Sequence, residues 1–289
     1  MQNSPAPDQP PCPLIINLAP TGMVPTRAMS PHVPLQPDEV ARDATQCAAL
    51  GASMLHLHAR AADDTPTEDP AVYGDMIAAI RATAPHVVIV TSTSGRLVQD
   101  VERRAASLYL EGDLKPDMAS LTLGSMNFAT TASINAPATI TRLAQIMLER
   151  GIKPELEVFD LGMVNYAKIL IDKGLLRPPY YFNILLGNPG TAQSTLQHLA
   201  TIIGDLPPHS YWSLAGMGRF QARATALGVV LGHGVRVGLE DNLWLDDGRT
   251  ELATNAQYVQ RCVAQAQAIG RAVATPAQVR AMLGLAESH

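Results

Sequence analysis

Short apolar runs recur along this chain, separated by longer stretches whose apolar positions repeat every three to four residues. The runs are LIINLA (14–19), SMLHLH (53–58), HVVIVTS (86–92), DMASLTL (117–123), ELEVFD (155–160), YYFNILLG (180–187), SYWSLAG (210–216) and GVRVGLE (234–240). Their length and their Val, Ile and Leu content predict strands. Between them, DEVARDATQCAALG (38–51) and ATITRLAQIMLERG (138–151) read as amphipathic helices. The second carries Ile140, Leu143, Ile146 and Met147 on one face and stops at a basic residue and a glycine. Near-continuous apolar strands alternating with helices predict a parallel sheet covered by helices. Eight runs over about 275 residues make about 34 residues per unit, the size of a βα repeat. The expectation is a single (β/α)8 barrel of the TIM type over residues 14–289. An open doubly wound sheet competes, but no GxGxxG follows the first run, which weakens a dinucleotide-binding reading. Residues 1–13, MQNSPAPDQPPCP, hold five prolines and predict a disordered tail.

Composition narrows the partners. The 289 residues carry 21 Lys and Arg against 26 Asp and Glu, a formal net charge of −5. That balance offers no excess positive charge to a nucleic-acid backbone. The longest apolar runs, such as VVIV (87–90), are far too short to span a bilayer, so no membrane partner is expected. The first residues lack the basic and apolar blocks of a secretory signal. Cys12, Cys47 and Cys262 stand far apart with no CxxC, which indicates neither a disulfide framework nor a cysteine zinc site. These features predict a soluble, cytoplasmic protein.

A barrel carries its active site at the C-terminal ends of its strands, so the chemistry is to be sought where the runs end. His56 and His58 close the second run. Residues two apart share a strand face, so both imidazoles point the same way, a spacing that suits two ligands of one metal. Read alone, the pair is more readily two satisfied histidines at a strand end. Glu240 and Asp241 close the eighth run. A carboxylate completing a His2Glu set leaves positions open for substrate, whereas an acidic strand end by itself is commonly a helix cap. Arg236 lies four residues before Glu240, on the same strand face, where it orients a carboxylate, binds a substrate carboxylate or makes a purely structural ion pair.

Other strand ends add polar groups. STSGR (92–96) and SLTLGSMNF (120–128) cluster small hydroxyl residues and glycine, suited to a polar substrate or to ordinary turns. Gly216, Gly218 and Arg219 in AGMGRF follow the seventh run, where barrels often cradle phosphate. Glu155 and Glu157 share one face of the fifth run, which puts one of them in reach of the site.

With these stretches in view, the chain resembles the β-keto acid cleavage enzymes. The matching segments are the TG turn with TRAMSPHVPLQPDEV (21–40), GASMLHLHAR (51–60), STSGR (92–96), DMASLTLGSMNF (117–128), PELEVFDLGM (154–163), LLGNPG (185–190), AGMGRFQ (215–221) and GHGVRVGLEDN (232–242). The resemblance implies a (β/α)8 barrel, a homotetramer, and a divalent metal, generally zinc, on His56, His58 and Glu240. It implies that a β-keto acid and acetyl-CoA become acetoacetate and a new acyl-CoA. Asp241, oriented by Arg236, takes the place of the base, and Ser92 that of a substrate-contacting serine. Ser120 stands where the family has a threonine, and Gly216, Gly218 and Arg219 are candidates for the CoA side. One departure concerns specificity. The prototype acts on an amine-bearing substrate and carries an acidic residue in the turn after the first strand; this chain has Met23 and Val24 there. An apolar pair cannot balance a buried ammonium, so a neutral or apolar tail is expected. The competing functions are another divalent-metal barrel enzyme, of aldolase or amidohydrolase type, and a non-enzymatic binding barrel. His32, His86, His198, His209, His233 and His289 do not form the further histidine pattern that amidohydrolase chemistry uses.

Overall fold

The structure, a computed structural model, describes residues 12–287. Residues 1–11 of the proline-rich segment, like Ser288 and His289, lie outside the described residues. The carbonyl of Cys12 accepts hydrogen bonds from Arg271 Nε (3.0 Å) and Nη2 (2.9 Å).

Each apolar run overlaps one barrel strand: β1 (Ile15–Leu18), β2 (Met54–Leu57), β3 (Val88–Thr91), β4 (Met118–Thr122), β5 (Lys153–Val158), β6 (Tyr180–Leu186), β7 (Ser210–Gly216) and β8 (Gly234–Val237), with β5 starting two residues before its run and β8 ending three residues before the end of its own. They close in sequence order into a barrel. The seam is the parallel β1–β8 pair, with Asn17 beside Arg236. The helices that cover it are α1 (Pro37–Leu50), α2 (Pro70–Thr83), α3 (Val101–Arg104), α4 (Pro137–Arg150), α5 (Leu161–Asp172), α6 (Leu196–Asp205), α7 (Gln221–Leu231) and α8 (Asn255–Ala268), with α9 (Pro276–Leu283) after them. The stop and start signals sit where the physics puts them. Pro37 and Pro137 open α1 and α4, where a missing N–H costs nothing, and Gly51 and Gly151 cap their C-terminal ends.

The third unit departs from a regular βα repeat. Its helix, α3, is a single turn followed by 3-10 turns at Ala106–Tyr109 and Gly112–Leu114. Arg104 lies buried there and donates to the carbonyls of Thr93 (2.9 Å) and Ile134 (3.2 Å) and to Asn135 Oδ1 (2.7 Å). A guanidinium on the inner face interrupts the apolar stripe that a longer helix would need.

Alternation along the strands sorts the core into two regions. Leu55, Leu57, Ile16 and Ile89 point out to the helices, whereas Ile15, Met54, Val88, Met118 and Tyr181 point into the barrel and pack on Val279 and Leu283 of α9. That apolar plug fills the N-terminal end. One layer higher the interior turns polar, with Asn17, His56, Ser120, Glu155, Asn183 and Arg236, all buried. Among the described residues no helix is long and apolar enough to cross a membrane.

Candidate active site

The polar layer converges on the C-terminal mouth. His56 Nδ1 lies 2.6 Å from Glu155 Oε2, and Glu155 Oε1 accepts from Asn17 Nδ2 (2.6 Å) and Asn183 Nδ2 (3.2 Å). A carboxylate can only accept there, so Nδ1 carries a proton and Nε2, facing the mouth, is the nitrogen that a cation could take. His58 Nε2 stands 3.3 Å from it and 3.3 Å from Glu240 Oε1. The ligand atoms of His56, His58 and Glu240 all lie within 4.8 Å of one another. Glu240 Oε2 is buried with no hydrogen-bond partner. Two imidazole nitrogens and a carboxylate with an orphaned oxygen, the first histidine oriented by a carboxylate behind it, fit a divalent cation.

Electrostatics differ sharply between the neighbouring groups. Burial and Arg236 pull the His56 imidazolium pKa down, but Glu155 and Glu240 outweigh them and raise it. Burial dominates at His58 and lowers it. Against the cost of burial, His58 and Arg236 hold Glu240 well below the usual carboxylate range. Burial pushes Asp241 up, opposed by its pairing with Arg236. Two adjacent carboxylates are thus driven apart, the arrangement by which sites divide a ligand from a proton acceptor.

Arg236 ties this corner together. It is 2% exposed and donates to Asp241 through Nε (2.9 Å) and Nη2 (3.2 Å), to Glu240 through Nη2 (2.7 Å) and to Glu157 through Nη1 (3.3 Å). Glu157 also accepts from Thr122 Oγ1 at 2.6 Å. Locally, β8 ends at Val237 and the chain turns at Gly238, whose carbonyl receives Asp241 N at 3.2 Å. That turn lifts Glu240 and Asp241 over the strand end. Gly22 passes directly against the Glu240 side chain with φ of 68°, a place where a Cβ would collide. Asn255 pins both turns from behind. Its Nδ2 donates to Pro20 O (3.1 Å) and Asp43 Oδ2 (2.6 Å), and its Oδ1 accepts from Leu239 N (2.9 Å).

A pocket of about 560 Å³ opens above these groups. It is lined by Met23, Val24, His56, His58, Ser92, Glu157, Gly218, Arg219, Arg236, Glu240 and Asp241, so most of the expected residues meet in one place. Two do not line it. Ser120 lies one layer below, where its Oγ accepts from Thr93 N at 3.1 Å; Thr122, on the same strand face and one step nearer the mouth, lines the pocket instead. Gly216 is buried at the end of β7, where a side chain would collide with the Phe220 carbonyl. It lets the Gly218–Phe220 turn fold back, so that of the three expected residues Gly218 and Arg219 reach the pocket and Gly216 does not.

The structure also adds Arg96 and Phe128 to the wall. Arg96 is half-buried and its Cζ lies 3.6 Å from the Phe128 ring centroid. Its Nε is buried without an acceptor, and among the described residues it makes no ion pair. A larger cavity, about 1110 Å³, lies at the opposite end, between α2, α4 and the chain end; it holds none of the convergent histidines. No further histidine joins the His56–His58 cluster among the described residues, which removes the main support for an amidohydrolase.

Comparison with known proteins agrees with this geometry. Residues 13–285 match the beta-keto acid cleavage enzyme family. The chain is 35% identical over 275 residues to the 3-keto-5-aminohexanoate cleavage enzyme of Acetoanaerobium sticklandii, covering 95% of this chain and 99% of that one. It is 35% identical over 276 residues to the 3-oxoadipate:acetyl-CoA acetyltransferase of Cupriavidus necator, covering 94% and 95%. Among solved structures, apo ObcA shares the fold with a TM-score of 0.76 at 22% identity, over 89% of this chain and 66% of ObcA. A match that runs the length of the barrel and includes both ends of the histidine–carboxylate cluster identifies the chain as a member of the β-keto acid cleavage enzyme family.

Proposed function

We propose that this protein converts a β-keto acid and acetyl-CoA into acetoacetate and the acyl-CoA of the remaining fragment. The observation that carries this reading is the convergence of His56, His58 and Glu240 beside the Arg236–Asp241 pair at the floor of one pocket. His56, His58 and Glu240 would hold a divalent ion, for which zinc suits the His2Glu donor set. When bound, that ion supplies a Lewis acid for the keto and carboxylate oxygens of the substrate.

The remaining work falls to the chain's own groups. Asp241 accepts a proton from the carbon between keto and carboxylate groups, its carboxylate held in place by Arg236. That carbon then attacks the thioester carbonyl of acetyl-CoA, and CoA leaves as the thiolate. The thiolate adds to the original keto carbon, the bond between that carbon and its neighbour breaks, and the new acyl-CoA departs. Asp241 returns its proton to the carbon left behind, which gives acetoacetate. Ser92 offers its hydroxyl to the substrate carboxylate. Ser120 acts through Thr93, and Glu157 steadies Arg236 from the far side. Gly218 and Arg219 face the CoA side. Met23 and Val24 provide no countercharge for an ammonium-bearing tail, in contrast to what the name of the Acetoanaerobium relative implies for that enzyme.

The reading includes a homotetramer, as the family resemblance implies, and a cytoplasmic location, as the composition suggests. Exposed Val230, Leu231 and Ile269 at the ends of α7 and α8 supply apolar surface for assembly, and light scattering measures it. The decisive experiment incubates the protein with acetyl-CoA and a panel of β-keto acids and follows products by mass spectrometry. Acetoacetate together with a new acyl-CoA supports the reading. Hydrolysis without acyl-CoA formation rejects it.

A further inference from the structure

Four arginines line the pocket, and they are not alike. Arg236 is wrapped by three carboxylates. Arg219 and Arg249 are exposed, free to meet the phosphates of a large, solvent-reaching co-substrate. Arg96 is half-buried, stacked at 3.6 Å on Phe128, with Nε buried and lacking an acceptor. Stacking on a ring occupies the face of a guanidinium and leaves its N–H edge, the edge that grips a carboxylate through parallel bonds. Burial lowers the Arg96 pKa more than Glu240, Glu157 and Asp241 raise it, yet a guanidinium stays protonated in proteins, so Arg96 carries its charge without a direct partner.

The reaction proposed above leaves this charge without a use. The carboxylate common to all β-keto acids is directed to the histidine–glutamate cluster and Ser92, and the CoA phosphates to the exposed arginines. We propose that Arg96 binds a second carboxylate at the far end of the keto acid's tail, which makes the preferred substrate a β-keto dicarboxylic acid. The methylenes between the two carboxylates find apolar wall in Met23, Val24, Met126 and Leu185. The apolar tail expected from Met23 and Val24 thereby becomes an apolar stem with an anionic end, because position 96 contributes a charge that the turn alone does not reveal. An ammonium tail is disfavoured twice, by the apolar turn and by repulsion from Arg96.

The inference rests on the proposed reaction, and its test separates the two. Calorimetry without acetyl-CoA compares binding of 3-oxoadipate and 3-oxohexanoate, which differ in whether the tail ends in a carboxylate; it reads Arg96 even if no acyl-CoA is ever formed. Kinetics with acetyl-CoA then compare kcat/KM for both acids in the unmodified protein, Arg96→Met and Arg96→Lys. The unmodified protein should prefer 3-oxoadipate, and Arg96→Met should lower that preference by about 100-fold, as expected for removing one partner of a desolvated charge pair. Arg96→Lys should restore part of it, with melting curves verifying that all variants fold. Equal losses on the two acids would assign Arg96 to the common carboxylate and overturn the proposal. So would a dominant rise in KM for acetyl-CoA, or no change in preference.

Discussion

Glu155 Oε2 and His56 Nδ1 meet at 2.6 Å across the barrel, 99 positions apart in the chain. The bond fixes which imidazole nitrogen carries the proton and therefore which one is offered to a cation. Glu155→Gln keeps the shape but turns a charged acceptor into an amide that can present its NH2 to the ring. Metal affinity should fall by about 10- to 100-fold, as outer-layer changes behind a ligating histidine do. Competition against a chelator of known affinity measures it; unchanged affinity would mean that His56 needs no such orientation.

His56→Ala, His58→Ala and Glu240→Ala should each cut metal content sharply and leave the barrel folded, because residues at strand C-termini serve function more than stability. Elemental analysis of the dialysed variants, alongside circular dichroism, checks both halves. Full occupancy in all three would refute the ligand set.

Asp241→Asn should retain the metal and lose turnover by about 10²- to 10⁴-fold, since the amide keeps the geometry and removes the basicity. Arg236→Ala is a harsher change than its spacing to Asp241 suggests. Arg236 also donates to Glu240 and Glu157, so its loss leaves three carboxylates facing one another, a penalty on the order of 3–5 kcal/mol. It should lower melting temperature and metal affinity as well as rate. Near-normal rates in Asp241→Asn would move the base elsewhere, with Glu157 the next candidate.

Val24→Glu introduces a carboxylate into the pocket turn. The variant should gain activity on a 5-amino-3-keto acid relative to a carbon-ended analogue, read as the ratio of kcat/KM in both proteins. If the unmodified protein already favours the amine, this turn does not set specificity.

Asp43 sits behind the site against Asn255, and burial pushes its carboxyl up to about 6. The folded state therefore holds a proton that the unfolded chain releases near 3.8. The sign follows: the group's contribution to stability declines as pH rises between these two values and levels off above about 6. Asp43→Asn, which can still accept from Asn255, should flatten this part of the melting temperature against pH profile. An identical slope in both proteins would show that Asp43 titrates normally.

Local pattern was enough to locate the strands, helices α1 and α4 and the histidine pair, because side-chain alternation and capping are short-range properties that the sequence displays directly. The motif of Arg236 followed by Glu240 and Asp241 was visible in the sequence, but β8 ends at Val237, so the turn at Gly238 rather than a shared strand face brings the three together. Other choices belong to the tertiary structure. Glu155 and Glu157 share a face, but only the β5–β6 register and closure of the barrel put Glu155 under His56 and Glu157 beside Arg236. Ser120 and Thr122 likewise share a face, and their depth in the barrel decides that Thr122 meets the pocket. Gly216 looks like part of a binding loop in one dimension and is a point of backbone contact in three. Arg96 and Phe128 come from loops after different strands, and their stacking exists only once those loops share a mouth. Periodicity encodes which face a residue takes; which distant partner waits on that face depends on register and closure.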